Sequence, residues 1–141
     1  MQKPIASLMA VGLLLLAACS TAEVEPGPIT SFDDIAGTTY ERQGPGGVDD
    51  RAPGYFHFFE DGTWHASTNQ DFVEDSPTEI YDTRFEGTKV FLTSSKSICG
   101  VDPEAIYEIH LLENGNLQLV AIEDNCEIRS SFYPAEWEPV P

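Results

Sequence analysis

Three histidines, three cysteines and 24 carboxylates are the groups in this 141-residue chain with chemistry to offer. His57 and His65 flank Glu60-Asp61-Gly62 within a run of aromatic residues. If the two flanking segments are the arms of a hairpin, the histidines become cross-strand neighbours close enough to chelate, and Glu60 or Asp61 adds an oxygen. Zinc sites generally need three or four protein ligands. The pair therefore reads first as two polar residues on a solvated strand face, a weak metal candidate, and His110 as a lone surface histidine. The acids Asp33-Asp34 and Asp49-Asp50, with Asp71, Glu74 and Asp75, are oxygen donors, but no D-x-[DN]-x-[DN]-G loop organises them for Ca²⁺. Two carboxylates across a cleft suit glycoside hydrolysis, yet with 24 acids some pair always fits that description. Gly44-Pro45-Gly46-Gly47 precedes no helix and lacks the Lys-Ser/Thr of a phosphate cradle. No GxSxG or HExxH motif is present. The reading leans away from catalysis: no catalytic residue, metal or cofactor is assigned. A small hydrolase using carboxylates or a histidine stays as the enzymatic alternative.

The elements that must carry these residues are short aromatic and β-branched runs between turn signals, the pattern of strands. The clearest hairpin joins residues 55–59 to 63–67. A two-residue turn pairs Phe59 with Trp64. A three-residue loop with Gly62 in the left-handed region pairs Phe58 with Trp64. The second register is preferred because it puts Phe56, Phe58, Trp64 and Ala66 on one face and His57 and His65 on the other. The same loop over Glu113-Asn114-Gly115 joins residues 105–112 to 116–123 and sorts Tyr107, Ile109, Leu111, Leu117, Leu119 and Ala121 onto one face. Residues 38–42 make a first strand, 80–85 and 88–94 a third hairpin about Glu86-Gly87, and 127–133 a last strand. Residues 30–37 read as one short helical turn, with Ser31 or Thr30 as cap and Gly37 as stop. The expectation is all-β: a small antiparallel up-and-down barrel of about eight strands with a short N-terminal helical turn. Phe56, Phe58, Trp64 and Tyr107, with Phe85 and Phe91, fill its core or line a ligand cavity. Strands of six to eight residues favour the filled interior.

The N-terminus reads differently. Lys3 is its only charge before an almost wholly apolar run from Ile5 to Ala18. That run is shorter than the roughly 20 residues needed to cross a bilayer and has the layout of a secretory signal. It ends Leu16-Ala17-Ala18-Cys19, which resembles the lipobox of bacterial lipoproteins. The resemblance implies cleavage after residue 18, a diacylglycerol thioether on Cys19, and membrane anchoring at the cell envelope outside the cytoplasm. A single chain holds only marginally, so two or more acyl chains give stable attachment. The chain then divides into a signal peptide (1–18), a Pro- and Glu-containing lipidated tether (19–30) and a barrel domain (31–141).

With Cys19 given to lipid, Cys99 and Cys126 are the remaining pair in an oxidising compartment, and a disulfide between them is expected. Pro103 absorbs the small slip in register at the base of the second hairpin. All 24 acids and six of the seven bases lie after residue 18, leaving a formal charge of −18. Nucleic acid is excluded as a partner, because binding it needs a basic face. Anionic headgroups repel the domain even as the lipid tethers it.

A glycine opening the first strand, a short turn before it and a meander of about eight strands also resemble the lipocalin and calycin superfamily. The family's Gly-x-Trp motif is here Gly37-Thr38-Thr39, without the tryptophan. Arg129, placed in the last strand, then lacks the partner the family gives its late arginine. The resemblance implies a carrier of a small apolar ligand. The sequence as a whole is read as a monomeric, non-catalytic binding or interaction module whose partner is a small apolar ligand or another envelope protein.

Overall fold

The computed structural model describes residues 25–44, 53–100 and 104–141. Cys19, the leader, Gly46-Gly47, Asp49-Asp50 and Pro103 lie outside the described residues. Nine strands occur among those described: β1 (Gly27–Pro28), β2 (Thr39–Arg42), β3 (Tyr55–Phe58), β4 (Thr63–Ser67), β5 (Glu79–Glu86), β6 (Lys89–Lys96), β7 (Ala105–Leu111), β8 (Leu117–Glu123) and β9 (Glu136–Val140). Each strand from β2 to β8 pairs antiparallel with the next, and β9 returns to β2. Eight strands thus close into the expected barrel, and closure removes the free edges that invite aggregation. β1 is an extra strand on β7, with Gly27 opposite Leu111 and Pro28 opposite His110. Ile29 is buried and donates its N–H to the Ile109 carbonyl at 2.9 Å, so β1, within the segment read as tether, packs against the barrel.

Both hairpins adopt the three-residue-loop register. Phe58 faces Trp64, Phe56 faces Ala66 and His57 faces His65. In the second, Leu111 faces Leu117, Ile109 faces Leu119 and Tyr107 faces Ala121, with a register shift only at the Ile106 end. Gly62 (φ +88°) and Gly115 (φ +84°) take the left-handed conformation that such a loop requires of its last residue. The alternation then decides the core. Phe56, Phe58, Trp64, Tyr81, Val90, Leu92, Tyr107, Ile109, Leu117, Leu119 and Trp137 all point inward and are buried. Phe56 stacks on Trp137 at 3.5 Å between ring centroids and meets Trp64 edge-on at 4.8 Å.

Two segments stop the barrel's ends. At the end holding the Gly62 and Gly115 loops, residues 30–37 form hydrogen-bonded turns, with Ile35 and Ala36 donating to the Phe32 carbonyl, and not a regular helix. Their buried Phe32 and Ile35 fill this end, Phe32 against Phe58 and Phe85 at 4.9 and 5.2 Å.

The opposite end is closed by a helix, and here the sequence reading is corrected. Residues 127–133 do not form the last strand. They are helix α1 (Glu127–Phe132), and Arg129 sits on it. Alternation over seven residues cannot separate the two periods. The spacing Ile128/Phe132 and Arg129/Tyr133 is also the i, i+4 of a helix, and Pro134 stops it. The strand that closes the barrel is β9, whose Pro139 argues against a central strand. The fold tolerates it because β9 pairs with β8 only at Glu136 and Trp137, beyond which its β8-facing side carries no ladder.

Gly54, just before β3, admits the helix. A Cβ there falls 2.5 and 2.6 Å from the Phe132 ring and 3.3 Å from Trp137. Gly54→Ala must therefore push Phe132 outward. A destabilisation of about 1–3 kcal/mol is expected, as for other overpacked sites, read as a lowered midpoint in urea unfolding.

Candidate functional site

Helix α1 does not seal its end of the barrel completely. A cavity of about 220 Å³ opens between the helix and the ends of β3, β4 and β5. Gly54 and Tyr55 form one wall and Ala66 and Ser67 a second, while Glu79 lies at the start of β5. Ile128, Arg129, Phe132 and Tyr133 line it from the helix side. Ile98, from the turn after β6, completes the rim. Ile98 and Ile128 are 55 % and 44 % exposed, so the rim is apolar and open to solvent. Apolar groups gathered around a concavity are the usual lining of a ligand site.

Three sets of contacts tie the wall together. The first is the Cys99–Cys126 disulfide, present as expected, with Cα atoms 5.8 Å apart. It ties the Ile98 turn to the residue that begins helix α1. The second is an ion pair with side chains removed from water. Arg129 donates from Nε to Asp124 Oδ2 at 2.6 Å and from Nη2 to Oδ1 at 2.8 Å. The Tyr107 hydroxyl and the Cys126 N–H also donate to Asp124, at 2.5 and 2.9 Å. Burial pushes the Asp124 carboxyl up. The bonds from Arg129, Tyr107 and Cys126 outweigh it and leave the group below its ordinary 3.8. Tyr107 moves the other way: burial, then the Asp124 bond and charge, hold its phenol well above 10.

The third centres on Glu79, a buried carboxylate at 5 % exposure. Its Oε1 accepts from the Tyr81 hydroxyl (2.8 Å), the Ser97 hydroxyl (2.9 Å) and the Ile98 N–H (3.3 Å). Its Oε2 accepts from the Tyr133 hydroxyl at 2.6 Å. Burial first, then the neighbouring Tyr81 and Glu79, push the Tyr133 phenol well above its usual value, so it remains a donor. A glutamate is rarely found inside a protein unless its carboxyl is hydrogen-bonded or paired, as that of Glu79 is.

The residues expected from sequence are distributed differently. Phe56, Phe58, Trp64 and Tyr107 are all buried in the packed interior, and none lines the mouth cavity. Arg129 belongs to the mouth, at the far end of the barrel from Gly37, whose N–H donates to Phe58 at 2.9 Å. Glu79, Tyr133, Ile98 and Ile128 were not singled out. Glu79 had a signal: it shares a strand face with Tyr81, so period-2 alternation aims a carboxylate inward.

His57 and His65 are cross-strand partners. The segment about the 3-10 turn Gln70–Phe72 covers them. His57 Nδ1 bonds Thr39 Oγ1 at 2.8 Å, and His65 Nδ1 lies 3.0 Å from the Val73 and Glu74 carbonyls. The Phe59 ring lies 4.6 Å from His57 and 4.5 Å from His65. Each Nδ1 is thus committed to the protein. Among the described residues no group of three or more His, Cys, Asp or Glu is placed to hold a metal ion. His110 bonds Glu108 at 3.1 Å.

His57 is a pH-sensitive element of stability. Burial pulls its pKa below 6.5; Glu74, 3.8 Å away, opposes this, and His65 adds to it. The unfolded chain takes up the proton first, so stability falls as pH drops from about 6.5 through the lowered folded value. His57→Gln should flatten that part of the stability–pH curve, measured by urea unfolding between pH 7 and pH 5. An unchanged slope counts against the assignment.

Comparison of the chain with protein-family models, with curated proteins and with solved structures found no match.

Proposed function

We propose that this chain is a lipid-anchored, extracytoplasmic binding module of the bacterial cell envelope, and that it binds a small, largely apolar group in the mouth cavity. The observation that carries the binding reading is that cavity: about 220 Å³, apolar-rimmed, and walled by side chains fixed by a disulfide and two buried polar networks. Preorganised walls lower the ordering cost of binding. The packed interior favours a site at the mouth over a ligand carried along the barrel axis, as a lipocalin-like carrier would hold it. No histidine lines the mouth, which favours binding over hydrolysis by a histidine–carboxylate pair. The address rests on Leu16-Ala17-Ala18-Cys19 and the apolar run before it, and the disulfide agrees with an oxidising compartment.

The address is tested in bacteria expressing the full chain and fed an alkyne-labelled fatty acid. The expected result is label on the wild type, which sediments with membranes, and neither property in Cys19→Ala. An unlabelled wild type, or a Cys19→Ala form still in the membrane fraction, overturns the anchor. Native mass spectrometry of the purified protein then reads acyl mass, disulfide and retained ligand together.

A further inference from the structure

The charged groups around the mouth are held differently. Among the described residues, Glu79 and Arg129 are the two charged side chains lining the cavity. Arg129 makes the two-point contact with Asp124 and also reaches Tyr81, its guanidinium 5.5 Å from that ring's centroid. Glu79 receives four hydrogen bonds, three from hydroxyls and one from a backbone N–H, and forms no ion pair among the described residues. Among the described residues the mouth thus holds one carboxyl that is hydrogen-bonded and not ion-paired. A carboxylate offers about four acceptor positions over its two oxygens. Oε1 takes three donors and Oε2 one, which leaves Oε2 the less occupied oxygen.

The remaining walls suit a positive guest. Tyr55 and Tyr133 bring aromatic surface to the cavity, and ring faces attract cations. Phe132 already carries the Arg42 guanidinium, 4.8 Å from its ring centroid, and serves as an apolar wall. The chain's formal charge of −17 draws cations and repels anions at long range. Fatty-acid carboxylates and phosphates are thus poor guests. The volume admits a compact head group, and anything longer must project into solvent.

We infer that the mouth cavity selects a small organic cation, an ammonium on a compact apolar body, with Glu79 as its counter-charge and Tyr55 and Tyr133 as its aromatic walls. This inference rests on the mouth being the binding site, and the experiment separates the two claims. Titrate the full-length protein, by calorimetry and by NMR of the probe, with choline and with 3,3-dimethylbutan-1-ol, its uncharged isostere. Choline should bind at least about tenfold more tightly. Glu79→Gln should erase that preference while the alcohol still binds. Ile128→Trp, which fills the rim, should abolish both; it also carries the test if Glu79→Gln does not fold. Equal binding of the two probes, or tighter binding of the alcohol, overturns the cation assignment and leaves the cavity as the site. Binding of neither probe overturns both claims, as does binding unaffected by Ile128→Trp.

Discussion

Arg129→Met should destabilise the domain by about 3–5 kcal/mol, because removing one partner of a buried pair strands the other charge. Against a total stability of about 5–15 kcal/mol, that loss brings the fold close to its limit. The stranded group is Asp124, whose side chain is fully buried and, among the described residues, keeps the Tyr107 and Cys126 bonds. The acid response should reverse with it. In the wild type Asp124 has a depressed pKa, so its contribution is complete above the ordinary value of 3.8 and is lost as pH falls through the folded value. In the variant burial dominates and raises that pKa. Stability should then recover on mild acidification instead of declining. Adding Asp124→Asn to Arg129→Met should restore part of the loss, the signature of a coupled pair in a double-mutant cycle. Chemical denaturation at pH 7, 4.5 and 3, with His57→Gln in both proteins to remove the histidine's own slope, reads both effects. Additive penalties, or a variant that weakens in acid as the wild type does, would show that the pair is not what fixes the helix.

Opening the disulfide should cost about 3.5 kcal/mol in the chain-entropy model, since the bridge closes a loop of roughly 28 residues. For a domain of this size that lowers the melting temperature by about 10–15 °C. The Cys99→Ser, Cys126→Ser double variant and the reduced wild type should agree. The site should suffer beyond the stability loss. The bridge ties Ile98 to the start of helix α1, so its removal frees two sides of the mouth at once. Binding of any cavity probe should weaken in the double variant even well below its melting temperature. A melting point within about 2 °C of the wild type would mean that Arg129 and Tyr133 hold the helix without the bridge.

The barrel itself was legible in the sequence because its information is local. Hairpin registers follow from loop length, the glycine position and the requirement that one face be apolar. Those constraints act over a dozen residues. They fixed Phe58 opposite Trp64 and Leu111 opposite Leu117 before any long-range contact is considered. The sulfur pairing was legible because the hairpin register brings Cys99 and Cys126 to the same end.

The segment after β8 was not legible in this way. Residues 127–133 fit a strand and a helix equally well over so short a run, and the choice is made by partners distant in sequence. Gly54 leaves room for Phe132, Glu79 receives the Tyr133 hydroxyl across 54 positions, and the β2 ladder takes up β9 in place of that segment. The candidate site lies on this undetermined stretch. The sequence by itself determined strands β2 to β8, the registers of the hairpins and the apolar face that becomes the core, because period and turn chemistry are properties of neighbours. Only the tertiary structure decided that an inward carboxylate on β5 and a six-residue helix would meet at the open end of the barrel, because a cavity is what remains between surfaces that touch only after the chain has closed.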